Sequence, residues 1–410
     1  MKRTLFLLSL SLAFFACTKN NLGDSARSPE KDLVGVWFET KNAVYPDNHV
    51  AYSTSCTIQL LSDHSGIYRY GDNGITNLSW QYKGGTLSLT GQGTGSNPDI
   101  KNFDGENMTL WWNGGRYIQY FLNVSKILPG RWRCTYEDKP YTVTFNASGT
   151  STWIEDDADD KFSNKWSLEF QDGLYSPFLK FDGSRIQDPF LISSATENFM
   201  VTNVGGSTVT FEKIPVQTYF SEDDLPGLWL HSVDFSSSTG TMTNFGDFAF
   251  SITSDHKCEL RYFGSKKDID WAIGGEKLVI PGDPSLTLRS LDGLHLSLRE
   301  ESSDGVYFDY FTNITRLLSQ SSWALSWPDQ DAWFAATFNE DGTSVWIPDG
   351  TGASQNYTWS LGFVADYSRP AIKISPVSDT YSNNLYILEF TDDVLFMKDE
   401  GSHPVVLLRQ

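Results

Sequence analysis

Short runs in which apolar and polar residues alternate recur along most of the chain, as in residues 78–82 (LSWQY) and 141–145 (YTVTF). This period of two is typical of β-strands that bury one face. Asn, Asp and Gly residues, which favour tight turns, follow at short intervals, as in residues 146–149 (NASG). No stretch combines a 3.6-residue apolar period with helix caps. The pattern predicts an all-β protein of short antiparallel strands, without substantial helices after the N-terminal segment.

Four repeats are marked by tryptophan. An L-x-G-x-W pattern ends at three of these tryptophans, and the fourth repeat has Ser319 and Ser321 in place of Leu and Gly. The marker residues, which we expect to be structural core residues, are Trp37, Trp132, Trp229 and Trp323. Their spacings of 95, 97 and 94 residues predict four modules of similar size. We place module A1 at 32–126, B1 at 127–214, A2 at 223–317 and B2 at 318–410.

A longer period of 191 to 193 residues relates the first pair of modules to the second. A1 and A2 share an Arg-Tyr pair and a later tryptophan, Trp80 or Trp271. B1 and B2 share a T-F-N-x-x-G-T hairpin followed by Trp-Ile. These matches indicate that a tandem A–B pair was duplicated as a unit. Five pairs of tryptophans recur at this period, and residues retained in every copy are most simply core residues.

The N-terminal segment has the features of a bacterial export signal. Lys2 and Arg3 precede an apolar stretch over residues 5–15, which is too short to span a bilayer permanently. Residues 14–17 (FFAC) resemble the lipobox of bacterial lipoproteins. The resemblance implies removal of the signal peptide over residues 1–16, lipid attachment at Cys17 and a membrane partner through that lipid.

Residues 17–31 would then form a flexible linker between the lipid and A1. Position 18 is Thr rather than Asp, and in lipoproteins of this kind that usually permits transfer to the outer membrane. We therefore expect an outer-membrane lipoprotein of the cell envelope, on either the periplasmic or the surface face.

The repeated motifs resemble a second known group. The opening L-x-G-x-W, the T-F-N-x-x-G-T hairpin and the Trp-bearing strand after it are similar to those of the small lipocalin-like domains of bacterial lipoproteins. The resemblance implies four tandem small antiparallel meander barrels, each plugged by its first Trp, with a mouth that either holds a ligand or is filled. Short-strand β-sandwich modules are the alternative fold.

Composition narrows the possible partners. The 410 residues carry a formal charge of −20, which argues against nucleic acid because phosphate binding relies on Lys and Arg. Besides Cys17, the cysteines are Cys56, Cys134 and Cys258. None of these three has a counterpart at the longer period, so they allow either a Cys56–Cys134 disulfide or three buried thiols.

Sequence motifs for catalysis or cofactor binding are absent: the chain lacks G-x-S-x-G, H-E-x-x-H and the glycine-rich nucleotide loops. We therefore expect no enzyme activity, no cofactor and no metal. His64 and His256 recur after Asp at matching hairpins, where turn formation explains the pattern better than metal binding or acid–base chemistry. The acidic run over residues 155–160 (EDDADD) could ligate Ca²⁺ but is more typical of a solvated hairpin tip.

Four tryptophans lack a partner at the longer period and are candidates for ligand binding: Trp111, Trp112, Trp327 and Trp333. Adjacent strand residues point to opposite faces, so Trp111 and Trp112 cannot both be core residues if one face is solvated. Aromatic rings stack on sugars or apolar ligands, and polar neighbours orient them. The main predicted patch therefore consists of Trp111, Trp112, Asn113, Arg116 and Tyr117. A contact between modules that covers the exposed Trp is the alternative, and Trp327 with Trp333 would form a second patch or pack internally.

Three functions fit these features. The first is an envelope-anchored, non-enzymatic lipoprotein whose modules bind a glycan or a small amphipathic ligand. The second is an adhesin or assembly component in which the modules are spacers for contacts with envelope proteins. The third is a glycan-active enzyme, which rests only on the abundance of carboxylates. We predict the first.

Overall fold

The computed structural model describes residues 29–410 apart from a set of internal segments. Those segments are 45–48, 52–55, 72–73, 85, 92–96, 113–115, 157, 159, 172, 184, 215–219, 237–240, 244–247, 263–264, 275–276, 280–285, 303–304, 330–331, 365–368 and 378–381. The predicted signal peptide, Cys17 and most of the predicted linker lie outside the described residues.

The first two sheets contain the first half of the chain. The elements of A1 are α1 (Pro29–Leu33), β1 (Gly35–Val44), β2 (His49–Ala51), β3 (Cys56–Leu60), β4 (Ser65–Tyr70), β5 (Gly74–Lys83), β6 (Thr86–Gly91), β7 (Asp99–Phe103), β8 (Asn107–Trp112) and β9 (Tyr117–Asn123). Helix α2 (Val124–Ile127) crosses the boundary between A1 and B1. The strands of B1 are β10 (Gly130–Tyr136), β11 (Lys139–Asn146), β12 (Thr150–Glu155), β13 (Lys161–Glu169), β14 (Phe178–Asp182), β15 (Phe190–Ala195), β16 (Phe199–Val204) and β17 (Ser207–Lys213).

The second half repeats this plan after a short 3-10 turn at Glu222–Asp224. The strands of A2 are β18 (Gly227–Ser236), β19 (Thr241–Thr243), β20 (Phe248–Ile252), β21 (Lys257–Tyr262), β22 (Ser265–Asp270), β23 (Ala272–Gly274), β24 (Lys277–Val279), β25 (Thr287–Leu291), β26 (His295–Ser302) and β27 (Gly305–Asn313). Helix α3 (Ile314–Ser319) crosses the boundary between A2 and B2. The strands of B2 are β28 (Ser322–Trp327), β29 (Ala332–Phe338), β30 (Thr343–Pro348), β31 (Gln355–Phe363), β32 (Pro370–Pro376), β33 (Asn383–Phe390), β34 (Val394–Lys398) and β35 (Pro404–Arg409).

The strands close into small barrels with meander order, which confirms the predicted fold. B1 and B2 are closed eight-stranded barrels, and A1 closes through pairing of β1 with β9. A2 has the same strand order, except that Trp271 alone separates β22 from β23 where A1 has the continuous strand β5. Because A1, B1 and B2 each close into a barrel and A2 follows the same strand order, the β-sandwich alternative is wrong. The three α-helices in the described part of the chain have only five, four and six residues.

No helix in the described part of the chain is long and apolar enough to cross a membrane.

One end of each barrel is plugged by its marker tryptophan. The indole N–H donates to the carbonyl of an upstream leucine in the pairs Trp37–Leu33 (2.7 Å), Trp132–Leu128 (2.8 Å), Trp229–Leu225 (2.7 Å) and Trp323–Leu318 (3.1 Å). All eight side chains are fully buried, so the recurring Leu and Trp of the sequence motif form one hydrogen-bonded plug. In B2 the acceptor lies five residues upstream, and Leu318 takes the position that the sequence pattern gives to Ser319.

The glycine of the motif is required by its neighbours. Gly35 has φ +150°, and a Cβ at this position would lie 2.6 Å from Oδ1 of Asn123. Gly227 has φ +142° and meets Asn313 in the same way. Only glycine adopts this conformation without strain and leaves room for the Asn side chain.

The modules of each half share apolar cores. Phe38 of A1 belongs to the hydrophobic core of B1, and Leu230 of A2 belongs to that of B2. The guanidinium group of Arg69 in A1 lies over the ring of Phe170 in B1, with Cζ 3.7 Å from the ring centroid. These contacts answer a question that the sequence leaves open, namely whether an A and a B module pack as separate units.

The two halves also contact each other, which closes a cycle of four modules. Phe199 of B1 stacks on Phe235 of A2 with ring centroids 3.8 Å apart. A1 meets B2 through an apolar cluster that includes Trp111, Phe396 and Val406. Each module therefore touches two others in the order A1, B1, A2, B2 and back to A1.

Candidate functional site

The β8–β9 hairpin positions most of the predicted binding patch. Trp112 and Tyr117 face each other in the ladder, at the end of A1 away from Trp37. Both are half-buried, and Trp112 packs against the A1 core. Arg116 is exposed beside Tyr117, whereas Asn113 lies outside the described residues. The structure thus brings Trp112, Arg116 and Tyr117 to one end of the barrel, which we call the mouth of A1.

A buried carboxylate lies behind these aromatic rings. Glu39 on β1 is 0% exposed. Gln119 on β9 donates from Nε2 to Glu39 Oε1 at 2.9 Å, and its Oε1 accepts from Trp112 Nε1 at 2.7 Å. Asn42 Nδ2 and the Tyr117 hydroxyl lie 3.4 and 3.5 Å from the same carboxylate oxygen. A chain of hydrogen bonds therefore runs from a half-buried indole to a buried acid.

A β-bulge explains how both Glu39 and Asn42 reach the interior. The pairing of β1 with β9 shifts between Glu39 and Lys41. Residues three apart on a regular strand point to opposite faces, and one extra residue restores them to the same face. Lys41 consequently faces outward, with its Nζ 4.6 Å from the ring centroid of Tyr120.

Two further residues complete what we call the A1 mouth cluster. It consists of Glu39, Asn42, Cys56, Tyr68, Trp112, Tyr117 and Gln119. Gln119 Nε2 lies 3.3 Å from Cys56 Sγ. Burial, followed by the Glu39 carboxylate, raises the pKa of the Cys56 thiol well above its usual value. Burial together with Glu39 and Cys56 raises the pKa of Tyr117, and burial with Cys56 raises that of Tyr68. These groups stay neutral near pH 7 and serve as hydrogen-bonding groups.

The structure places Trp111 in a contact between modules instead of the ligand patch. Trp111 is 5% exposed and packs with Val394 and Phe396 of B2. Lys101 Nζ lies 4.7 Å from its ring centroid. The outer face of β8 is covered by B2, so Trp111 is shielded by protein, whereas its inward-facing neighbour Trp112 is half-buried at the mouth of A1. The alternative, an inter-module contact that covers the exposed Trp, describes Trp111.

The structure does not bring Trp327 and Trp333 together. Trp327 packs against the B2 core, with ring centroids 5.9 Å from Phe334 and 6.2 Å from Trp346. Trp333 is 43% exposed, and its backbone carbonyl accepts from the Asp349 N–H at 3.1 Å. The two side chains lie on opposite faces of the barrel wall, so they cannot form one binding patch.

The recurring histidines have a local structural role. His64 and His256 adopt left-handed φ values of 66° and 64° at their hairpins. Their rings lie 4.9 Å from Trp80 and 4.8 Å from Trp271. In the acidic run, Asp160 pairs with Arg185. Among the described residues, no three His, Cys, Asp or Glu side chains are close enough together to hold a metal ion.

Cys56, Cys134 and Cys258 are buried free thiols, so the possible Cys56–Cys134 disulfide is not formed in this structure.

Two cavities lined by described residues are located outside the A1 mouth. A shallow depression of about 440 Å³ on B1 is lined by Thr150, Ser163, Asn164, Lys165, Asp182 and Gly183. A gap of about 10 Å³ lies between A2 and B2, beside His231 and Arg369. Neither involves a residue of the predicted patch.

Sequence reasoning missed Glu39, Asn42 and Gln119. Glu39 follows Trp37 by two residues, so in a strand it shares the core-facing side of that Trp. A charged residue at a core-facing position is unusual, and this signal could have singled out Glu39. Gln119 gives no comparable local signal, because Glu39 and Cys56 lie 80 and 63 residues away from it in the chain and the strand register that joins them is not local.

The chain matches no known protein-family profile and no curated protein. Among solved structures, it is similar to a protein of unknown function from the DUF3598 family of Nostoc punctiforme, with 9% identity over 94% of this chain and 98% of that chain and a TM-score of 0.13.

Proposed function

We propose that this protein is an envelope-anchored, non-enzymatic lipoprotein that binds a glycan at the mouth of A1. The lipobox-like residues 14–17 and the expected lipid on Cys17 support the anchoring. The A1 mouth cluster supports the binding site. Its half-buried aromatic rings provide a surface on which a sugar ring can stack, and its buried amide and carboxylate groups hold these rings in orientation.

The observation that carries the proposal is the connected chain Trp112–Gln119–Glu39, with distances of 2.7 and 2.9 Å. Because Gln119 is held at both ends, the indole of Trp112 is fixed in orientation before any ligand arrives, and a preorganised site loses less entropy on binding. The exposed Arg116 and the half-buried Tyr117 beside this indole favour a hydroxyl-rich ligand over an apolar chain, since covering polar groups without giving them hydrogen-bond partners is costly.

The same cluster supports a binding role over a hydrolytic one. Glycoside hydrolysis commonly uses two carboxyl groups on either side of the scissile bond. Among the described residues of the A1 mouth cluster, Glu39 is the one carboxyl group, and it accepts hydrogen bonds from neutral amides.

The test begins with a Cys17→Ser variant, which should move the protein from the membrane to the soluble fraction. Its binding to a panel of bacterial and host glycans is then measured by calorimetry and tryptophan fluorescence. We expect Trp112→Ala to weaken binding by about tenfold to a hundredfold, because one aromatic stacking contact contributes roughly 1.5 to 3 kcal/mol.

Trp333→Ala is the matched control, because Trp333 is exposed on the outer face of a different barrel. It should bind as the parent protein does. Equal losses in the two variants, or binding that Trp112→Ala leaves unchanged, would remove the A1 mouth as the site. If the protein bound no glycan of the panel, the proposed ligand class would be wrong.

The assembly role remains the second candidate, and one observation favours it. The interiors of B1 and B2 are filled by large aromatic cores, with Trp153 packed among Phe162, Phe181 and Phe211 in B1. A filled barrel suits a spacer that presents its outer surface to another protein. Capture of one specific envelope protein by both the parent protein and Trp112→Ala would favour this role over glycan binding.

A further inference from the structure

One turn of B2 contacts both A modules. It lies between β33 and β34 and consists of Thr391, Asp392 and Asp393. Thr391 Oγ1 hydrogen-bonds the Tyr120 hydroxyl of A1. Asp393 Oδ1 accepts from Asn102 Nδ2 of A1 at 2.8 Å, and Asp392 Oδ1 lies 3.1 Å from His295 Nε2 of A2. Three modules therefore meet at this turn.

The two carboxylates of the turn differ in their surroundings. Burial opposes ionisation of Asp392, yet His295 and then Lys41 lower its pKa well below the usual range. Desolvation likewise opposes the charge on His295, but Asp392 and Asp292 outweigh it and raise the pKa of His295 to about 10. Asp392 and His295 thus form an ion pair whose charges stay constant between pH 5 and pH 8.

At Asp393 the nearby positive charges do not outweigh the effect of burial on the pKa. It is 1% exposed and adjacent to the charged Asp392. Burial, and then repulsion from Asp392, raise the pKa of Asp393 to about 6, although Arg409 and Lys41 act in the opposite direction. The other groups that face it are the Asn102 amide, which donates to it, and Tyr120, whose own pKa is raised by burial and by Asp393 so that the phenol stays neutral.

The other half of the molecule contains the same junction with a neutral residue. In B1 the turn consists of Thr196, Glu197 and Asn198. Glu197 Oε1 accepts from Asn107 Nδ2 of A1 at 2.7 Å, and Thr196 Oγ1 lies 3.3 Å from the Tyr310 hydroxyl of A2. Asn198 stands where B2 has Asp393. The amide is nearly the shape of a carboxyl group but cannot ionise.

We propose that the turn over residues 391–393 is an acid-strengthened latch between A1 and B2, in which protonation of Asp393 removes its repulsion with Asp392 and tightens the junction. A proton is held more firmly by Asp393 in the folded protein than in the unfolded chain, where an Asp titrates near pH ~3.9. Folding stability therefore increases as the pH falls from 7 to 5, and this contribution is lost as the pH rises through about 6.

The latch contacts two strands, β1 and β9, that also carry residues of the candidate site. Tyr120 follows Gln119 on β9, and Lys41 precedes Asn42 on β1. Adjacent strand residues face opposite sides of the barrel wall, so the latch contacts the outer face of the wall whose inner face carries the A1 mouth cluster. The latch stands on its own contacts and does not depend on what the mouth binds.

The test compares thermal unfolding of the parent protein and Asp393→Asn from pH 5 to pH 8. The difference between the two proteins is the readout, because other groups that titrate in this range contribute equally to both. At pH 8 we expect the variant to melt about 3 °C higher than the parent, and at pH 5 the difference should vanish. Hydrogen exchange of β9 and β34, corrected for the intrinsic pH dependence, should show the same convergence.

Asn198→Asp is the reciprocal variant and remains decisive if Asp393→Asn does not fold. It places an ionisable group at the matching junction and should lower the melting temperature more at pH 8 than at pH 5. Parallel pH profiles for the parent and either variant would mean a purely structural role for the turn and would overturn the latch.

Discussion

A1 and A2 share their plugged ends but differ at their mouths. Trp37 and Trp229 make the same indole-to-carbonyl hydrogen bond at the same 2.7 Å. At the other end, the strand pairing shows which residues of the two modules occupy equivalent positions. Glu39 of A1 corresponds to His231 of A2, Asn42 to Asp234, Gln119 to Asp309 and Trp112 to Glu300. Duplication therefore preserved the residues that close the barrel, whereas those that line its mouth diverged.

The replacements in A2 change the chemistry of the mouth. A1 has one buried acid held by amides, while A2 has His231 with its Nε2 3.4 Å from Asp309 Oδ1. The His231 ring is 5.0 Å from that of Phe311 and 5.8 Å from that of Phe248. Because the frame is the same, the difference must affect what each mouth contacts more than how each module folds.

The largest expected effect tests the shared part of this comparison. Trp37→Ala and Trp229→Ala each remove a fully buried indole, which should cost about 3 to 5 kcal/mol of unfolding free energy. Urea denaturation followed by circular dichroism measures the loss. Trp333→Ala, at an exposed position, is the control and should cost less than about 1 kcal/mol. A small loss at only one plug would show that the two ends are not equivalent.

An intermediate effect tests the part that differs. Glu39→Gln keeps the shape of the side chain but removes the charge that accepts from Gln119, and it should weaken glycan binding by about tenfold, since hydrogen bonds to charged groups contribute roughly 1.5 to 3 kcal/mol. His231→Gln, at the counterpart position in A2, should leave binding unchanged. Calorimetry measures the glycan affinity of both variants. Equal losses of affinity would mean that the ligand does not distinguish the mouth of A1 from that of A2.

The smallest effect concerns thiol reactivity. Burial and Glu39 raise the pKa of Cys56, and burial and Glu259 raise that of Cys258 to about 12, so both thiols should react slowly in the folded protein. Glu39→Gln should increase the labelling rate of Cys56 by roughly twofold to threefold, because the thiolate loses a repulsive neighbour. Mass spectrometry resolves the two sites. An equal increase at Cys258 would indicate general loosening.

The repeats and the plugs could be predicted because their signals are local. The Leu and Trp of the plug are four or five residues apart, and the turn residues that separate the strands are adjacent in the sequence. The predicted split of Trp111 and Trp112 to opposite faces also follows from the period of two. What covers each face cannot be predicted from neighbouring residues, since Phe396 lies 285 residues away from Trp111 in the chain.

The contacts between modules were also hard to predict because equivalent positions of A1 and A2 carry different residues there. Strand pairing makes Arg299 the counterpart of Trp111. Arg299 lies at the equivalent contact between A2 and B1, where its Nε is 3.4 Å from Glu212 Oε1. One junction thus uses an apolar indole where the other uses an ion pair, and an unmatched Trp in an alignment of the repeats reads equally well as a binding residue or as half of an interface.

The closed cycle of modules bears on how such a molecule could arise. Each half contains one surface of each kind of junction, since A1 meets both B modules and B1 meets both A modules. A shorter ancestor with a single A–B pair could have closed the same ring as a symmetric dimer. Fusion of two copies would have replaced an assembly that depends on concentration with one that does not. Each copy could afterwards change its mouth separately, while its twin maintained the original one.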